Sequence, residues 1–398
     1  MVLNTIDLFS GIGGITHALE GIAEPIAYCD WAEESREVLS TLMKRGKLPR
    51  APICSDVREL TAAWLSKNVA DAKAKLRENL AIVGGFPCIG FSPMGLRQGF
   101  DHDESGLFSE ILRLTDLLRP KLLFLENVPN VVKLGMDHVA HELAEKRGYE
   151  LRWAVAPAEI VGAPHRRARW FCMAVKPGFE CSVALRKAYR AYPWGKQSEP
   201  PRAVVATEGG RGNRTRVGQL GNAVVPDAVR YAFLYLSARG DAERCAFESR
   251  EWRLSRASKK GKAASEEVHP PSGGTGTWPT SGILLAGGGR FEKLAQPPRL
   301  RDQHREELVF DPAAFTTHKK PSTILSSGYV EAPVVRFTWA TPRHSATGAT
   351  NYLTQRSMRD LPTQVRFERG TPDALRHGAL SAEFVEYLMG FPIGWTLA

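Results

Sequence analysis

The sequence predicts an α/β fold: a mostly parallel sheet with helices on both faces. Two observations carry that expectation. Short β-like runs alternate with amphipathic helical patterns through the first 175 residues, and side chains that bear chemistry cluster just after the apolar runs. In such sheets, ligands bind beyond the carboxyl ends of the strands. Taken in order, the strand candidates are Ile6–Phe9, Pro25–Cys29, Pro52–Cys54, Leu80–Val83, Lys121–Leu125 and Trp170–Val175. Between them, Ala32–Lys44, Ser109–Leu118 and Val131–Lys146 repeat apolar residues at i, i+3 and i+4 and read as helices. Beyond residue 180 the alternation fades. Residues 196–217 and 254–282 are rich in Gly, Ser, Pro, Lys and Arg and read as loops or linkers. Pro226–Ala238 reads as a helix opened by proline. Ser381–Leu388 reads as another, with a serine N-cap.

A chain of 398 residues is long enough for two or three domains. Its formal charge of +10 is unevenly placed. Residues 181–262 carry 17 Lys and Arg against 7 Asp and Glu, whereas 1–180 carry 22 against 23 and 263–398 carry 14 against 13. A basic block of this kind suits a polyanion, and nucleic acid is the commonest soluble one. No apolar run is long enough to span a bilayer, and the N-terminus enters a strand-like segment with no leader pattern. We therefore expect a soluble, cytoplasmic protein. The six cysteines show no paired spacing suited to zinc, so reduced thiols and no structural metal are expected.

Four places carry chemistry. Asp7-Leu8-Phe9-Ser10-Gly11-Ile12-Gly13-Gly14 stands at the first strand–helix junction, where glycines let the backbone approach a ligand closely. The second strand ends in Asp30-Trp31, a carboxylate suited to ribose hydroxyls beside a ring suited to stacking on adenine. The third ends at Asp56, which suits an exocyclic amine; together these strand ends describe a nucleoside site. Gly84-Gly85-Phe86-Pro87-Cys88-Ile89-Gly90-Phe91-Ser92 sets a thiol in a turn after an apolar run, the position of a nucleophile rather than of a core cysteine. Glu126 ends another apolar run, where burial raises a carboxyl pKa and favours proton donation. Arg167 and Arg169 alternate in an extended segment and are expected to share one face, suited to a carbonyl oxygen or a phosphate, with a surface charge run as the default alternative.

These segments together resemble the DNA (cytosine-5) methyltransferases. Residues 5–20 resemble that family's cofactor motif, Pro87-Cys88-Ile89-Gly90-Phe91-Ser92 its nucleophile motif, and Glu126-Asn127-Val128 its Glu-Asn-Val motif. His165-x-Arg167-x-Arg169 resembles its arginine motif, and Gly221-Asn222-Ala223-Val224-Val225-Pro226 the motif that closes the cofactor pocket. Arg359–Thr396, with Leu388-Met389-Gly390-Phe391-Pro392, resembles the segment that braces target recognition. Three positions depart from the family pattern: Ile89 and His165 stand where Gln is usual, and Asp30 where Glu is usual. The Gly-Asn motif also precedes the recognition region instead of following it, a permuted order.

The resemblance implies a Rossmann-like methyltransferase sheet with a smaller C-terminal target recognition domain. It divides the chain into a catalytic domain (1–238), a basic linker (239–282) and a recognition domain (283–398). S-adenosylmethionine is implied as methyl donor, leaving S-adenosylhomocysteine. It would be held by Phe9, Gly11, Ile12, Gly13, Asp30, Trp31, Asp56, Gly85, Pro87, Leu107, Asn222, Ala223 and Val224. Cys88 is implied as nucleophile toward C6 of a flipped cytosine, Glu126 as the acid at N3, and Arg169, helped by Arg167, as the group holding O2. Residues 95–106 would form a closing loop. Ser92, Arg97, Arg336, Arg343, Arg356 and Arg359 would contact double-stranded DNA. The implied protein is a monomer, nucleoid-associated when bound to DNA and suited to a restriction-modification system. An RNA cytosine-5 methyltransferase and a non-catalytic DNA-binding regulator are the alternative expectations.

Overall fold

The computed structural model describes residues 2–87, 107–180, 204–205, 211–238, 278–284, 291–292 and 379–397. In chain order the first strands and helices are β1 (Leu3–Leu8), α1 (Gly14–Ala18), β2 (Ala23–Cys29), α2 (Glu33–Lys44), β3 (Ile53–Cys54), α3 (Ala62–Asn68) and α4 (Ala72–Lys75). Then come β4 (Leu80–Gly85), α5 (Phe108–Leu118), β5 (Leu122–Asn127), α6 (Val131–Leu134), α7 (Met136–Val139), β6 (Glu150–Ala156) and β7 (Arg169–Val175). The remainder are β8 (Val204–Val205), α8 (Arg211–Asn222), α9 (Pro226–Ser237), β9 (Ser281–Leu284), β10 (Phe291–Glu292), β11 (Ala379–Leu380) and α10 (Ala382–Met389).

Nine strands form one sheet in the order β10-β9-β6-β7-β5-β4-β1-β2-β3. Strands β3, β2, β1, β4 and β5 run parallel, as expected. The other half does not: β7 is antiparallel to both β5 and β6, and β9 and β10 continue antiparallel at the edge. Alternation along the central strands sorts the core into two layers. Leu123 and Leu125 of β5 pack with Ile111 and Leu143 on one face, while Leu122 and Phe124 meet Val229 and Phe233 of α9 on the other. Nearly all of α9 is buried. Its Arg230 Nη1 donates to the carbonyls of Ala18 (2.9 Å) and Glu20 (2.8 Å), giving partners to groups at the end of α1 that the helix cannot satisfy itself.

Three expectations are revised. The helix read over 131–146 breaks at Gly135 into α6 and α7, followed by a wider π-type turn over Ala140–Glu145. Residues 211–217, read as loop, lie in α8. Gly212, Asn213 and Thr215 give poor helix propensity, but Arg216 pairs with Glu383 (2.8 Å) and Asn213 Nδ2 donates to the Leu380 carbonyl (2.9 Å), so distant contacts hold the helix. The boundary expected at 282/283 cuts through β9, which pairs with β6 in the main sheet. At the far end, α10 packs in the same cluster as Ile12, Leu39 and Leu220. Both described ends of the region 283–398 therefore belong to the first unit. A four-residue strand leaves almost no periodic signal; its pairing partners define it.

Candidate active site

The carboxyl ends of β1, β2 and β3 converge on the glycine-rich loop. Phe9 (φ 53°), Gly11 (φ 53°) and Gly13 (φ 78°) turn through left-handed conformations, which a non-glycine residue such as Phe9 adopts only under outside restraint. Ser10 supplies part of that restraint: its Oγ donates to the Asp7 carbonyl (2.6 Å) and accepts from the Cys29 N–H (3.1 Å). Asp30 supplies more, its two oxygens accepting from the Gly11 N–H (2.7 Å) and the Ala32 N–H (2.9 Å). Burial raises the Asp30 carboxyl pKa, against the lowering effect of those two bonds. The Trp31 side chain stands 77% exposed beside it. A Cβ built on Gly11 meets nothing within 4 Å, so this side of the loop is open. The Asp56 carboxylate is already engaged: Arg58 binds it through Nε and Nη2 (2.6 Å) and through its backbone N–H, which holds its pKa low.

Next to this loop, β4 and β5 set Gly85 opposite Glu126. The Glu126 carboxylate is buried, and burial raises its pKa despite the opposing pull of Arg169 and Arg167. Arg169 Nε lies 3.0 Å from Oε1. A Cβ on Gly85 would sit 2.6 Å from Oε2, so the close approach of the carboxylate requires glycine there. Asn127 Nδ2 donates to the Phe86 carbonyl (3.0 Å) and pins the turn that leads to half-buried Pro87. Cys88, Ser92, Arg97 and the loop 95–106 lie outside the described residues, as do Arg336, Arg343, Arg356 and Arg359. Leu107 caps the start of α5, and its side chain packs on the main core.

The arginine segment departs from the expectation that 167 and 169 share a face and a task. Arg167 has a φ of 24°, which breaks the extended alternation. Its buried Nη2 donates to the carbonyls of Gly221 (2.9 Å) and Ala223. Arg167 therefore holds the turn of the Gly-Asn motif, while Arg169 pairs with Glu126. His165 is fully buried and bonds the Leu388 carbonyl in α10 through Nε2 (2.9 Å), and burial depresses its pKa to about 3. It is thus neutral and must donate from Nε2, since a carbonyl only accepts. Residues 165, 167 and 169 tie together α10, the 221–223 turn and the buried acid. Asn222 is exposed, Ala223 is half-buried, and buried Val224 packs against Gly14.

The sequence matches the C-5 cytosine-specific DNA methylase family over residues 3–208. It is 30% identical to the type II methyltransferase M.CviJI of Paramecium bursaria Chlorella virus IL3A, over 98% of this chain and 97% of the relative. The chain belongs to the C-5 cytosine-specific DNA methylases. The type II methyltransferases M.Bsp6I of a Bacillus species and M.HhaI of Haemophilus parahaemolyticus are 32% and 29% identical, each over 42% of the methylase. Those matches span 50% and 47% of the two relatives. The protein is accordingly a DNA (cytosine-5) methyltransferase on a Rossmann-like sheet.

Three buried groups behind the glycine loop were not legible as such in the sequence. Asp7 is completely buried; its Oδ2 accepts from Thr16 Oγ1 (2.5 Å), its Oδ1 has no partner among the described residues, and burial pushes its pKa up to about 7. Trp395 reaches the Ile12 carbonyl of the glycine loop from far along the chain, on a turn that Glu386 holds, and only a fold could show it. Among the described residues no helix is long and apolar enough to cross a membrane, and no cluster of His, Cys, Asp and Glu is arranged to hold a metal.

Proposed function

We propose that the methylase transfers a methyl group from S-adenosylmethionine to C5 of a cytosine flipped out of double-stranded DNA, through a covalent Cys88 adduct. The observation that carries this reading is the buried, Arg169-paired Glu126 beside Gly85, on the strand that leads directly to Cys88. A stacked base cannot be surrounded by such groups, so the target cytosine leaves the helix.

The donor set fits S-adenosylmethionine. Gly11 gives the loop an open face beside Phe9, with Ile12 and Gly13 packed behind it, Asp30 suits the ribose hydroxyls, and exposed Trp31 suits the adenine face. Pro87, Leu107 and the turn Asn222–Val224 complete the proposed pocket. Asp56 joins it at the adenine amine only alongside Arg58. For Gly85, we favour clearance for Glu126 over cofactor contact. When bound, the cofactor supplies an electrophilic methyl group.

The chain's own residues activate the base. The Cys88 thiolate forms a bond to C6 while Glu126, whose pKa burial raises, delivers a proton to N3, so that ring electrons collect at C5. Arg169 holds O2 and the Glu126 carboxylate together and stabilises charge as it develops. Once C5 carries its methyl group, water takes the C5 proton, the C–H electrons re-form the C5–C6 double bond, and sulfur leaves C6 as the Cys88 thiolate. N3 then returns its proton to Glu126. Arg167 acts behind this site by fixing the 221–223 turn.

Target recognition belongs, on this reading, to the chain between β10 and β11, with Arg336, Arg343, Arg356 and Arg359 as DNA contacts beside Ser92 and Arg97. The Gly-Asn motif then precedes that region in a permuted order. The names of the relatives favour service as the modification arm of a restriction system, with a short specific target sequence. Methyl transfer from labelled cofactor to duplex DNA is the test. The native chain should label C5 of cytosine in DNA and not in RNA, and Cys88→Ala should abolish labelling; labelling that survives in Cys88→Ala would defeat the mechanism.

A further inference from the structure

The glycine loop is held at two successive residues from opposite ends of the chain. On one side, Asp30 accepts from the Gly11 N–H (2.7 Å). On the other, the buried indole Nε1 of Trp395 donates to the Ile12 carbonyl (2.9 Å) across 383 residues of sequence. Ile12 lies between Gly11 and Gly13, and α1 starts from Gly13 with no side-chain cap. Nothing within the loop itself replaces the tryptophan's bond. Asp30 faces the open side of the loop, whereas Trp395 lies behind it in a packed ring cluster. The Trp395 ring lies 4.5 Å from that of His17 on α1 and 5.5 Å from that of Phe391. Phe391 in turn occupies the space beside Gly14, where an added Cβ would meet it at 3.2 Å.

The turn that carries Trp395 is itself fixed. Glu386 of α10 is fully buried and accepts from the Gly394 N–H (2.6 Å), the Thr396 N–H (2.8 Å) and Thr396 Oγ1 (2.6 Å). Arg216 of α8 pairs with the same carboxylate (3.2 Å) and donates through Nε to Thr396 Oγ1 (2.8 Å). A buried carboxylate this fully bonded holds its turn in one geometry. The indole therefore meets the Ile12 carbonyl preorganised, and the loop keeps its left-handed shape before any ligand arrives.

We propose that Trp395, set by the Glu386-anchored turn, is a positioning residue for cofactor binding. The segment after the recognition region thereby sets affinity for the nucleoside cofactor. The inference rests on the proposal that this loop binds S-adenosylmethionine. Trp395→Phe keeps the ring and removes the N–H, leaving a buried carbonyl unpaired.

Calorimetry with S-adenosylhomocysteine and steady-state methyl transfer, both on the full chain, test it. Trp395→Phe should raise Kd and the cofactor KM about tenfold, with kcat at saturating cofactor and the KM for DNA within about twofold of native. Glu386→Gln, which loosens the turn but leaves the indole, should move the same constants in the same direction. Tyr149→Phe removes a buried bond to the Pro120 carbonyl (2.7 Å) far from the loop and controls for general destabilisation; its cofactor constants should stay native. An unchanged cofactor Kd in folded Trp395→Phe, or an equal rise in Tyr149→Phe, would overturn the positioning role while leaving the cofactor site intact. No binding by the native chain would instead overturn the cofactor reading, and this inference with it.

Discussion

Replacing Gly85 with Ala separates stability from chemistry at a single atom. The added Cβ would lie 2.6 Å from Glu126 Oε2, and ordinary contact begins near 3.4 Å, so the carboxylate must retreat by about 0.8 Å. The atom that yields is the end of a side chain, and Gly85 has no left-handed φ, so the strand need not move. An alanine also lowers the entropy of the unfolded chain, worth roughly 0.4–1 kcal/mol in its favour. Thermal stability should therefore stay within a few degrees of native. The chemistry should not be spared, because the same carboxylate is held 3.0 Å from Arg169 Nε and must reach N3 of the base. Misplacing a reacting group by on the order of 1 Å costs roughly a hundredfold in rate, or about 2.7 kcal/mol. Single-turnover labelling of duplex DNA measures this step, and calorimetry with S-adenosylhomocysteine measures the pocket. A rate about a hundredfold lower with native cofactor affinity is expected. A rate within threefold of native, or a loss expressed mainly in cofactor affinity, would refute the assignment of Gly85 to Glu126.

Two further outcomes follow from the same geometry. Arg167→Gln should weaken cofactor binding and lower stability by about 1–3 kcal/mol, since the carbonyls of Gly221 and Ala223 lose their donor. At saturating cofactor it should keep much of its turnover, while Arg169→Gln should lose more than about a hundredfold; equal losses in kcat would restore a shared role at the base. Asp7→Asn tests the buried carboxyl through pH. The folded Asp7 pKa of about 7 lies above its ordinary 3.8, so its contribution is present below pH 3.8 and is lost as pH rises toward 7. The His165 pKa of about 3 lies below its ordinary 6.5, so its contribution is present above pH 6.5 and is lost as pH falls toward 3. The two slopes, each up to about 1.4 kcal/mol per pH unit, oppose one another between about pH 4 and 6.5. Removing Asp7 exposes the His165 slope. Urea unfolding should show the variant losing stability relative to native as pH drops from 6.5 to 4.5, and parallel pH profiles would count against a protonated Asp7.

The parallel half of the sheet was legible because buried central strands are apolar on both faces and end in residues that a core would exclude. Leu80–Val83 and Lys121–Leu125 place their strands within two residues of the observed ends. The Ser381 cap was legible too, its Oγ accepting from the Phe384 N–H (3.4 Å). Elements defined by distant partners were not. Helix α8 is written in Gly and Arg and stands on Glu383 and Glu386, more than 160 residues away. Strand β9 is four residues between β10 and β6, and it begins inside a stretch whose composition reads as linker. At the site, the glycine loop, Asp30 and Glu126 could be singled out because residue type and position at a strand end suffice to suggest a role. The task of Arg167 could not be read, because one backbone angle turned its side chain from the neighbouring arginine to the Gly-Asn turn. Gly85 reads as part of the turn before Cys88 and, by resemblance, as a cofactor contact, but a carboxylate on the adjacent strand is what needs a glycine there. Trp395 looks like an ordinary apolar residue near a chain end until its N–H is found against Ile12.

Trapping on DNA tests the central claim most directly. Duplex DNA carrying 5-fluorocytosine at the target position blocks the final loss of the C5 substituent, so an enzyme that bonds C6 through sulfur stays attached. With S-adenosylmethionine present, mass spectrometry of the native methylase should find the methylated base linked to the peptide that contains Cys88, and Cys88→Ala should give no adduct. A native chain that methylates ordinary cytosine yet forms no adduct with the fluorinated base, or an adduct at another residue, would contradict the account.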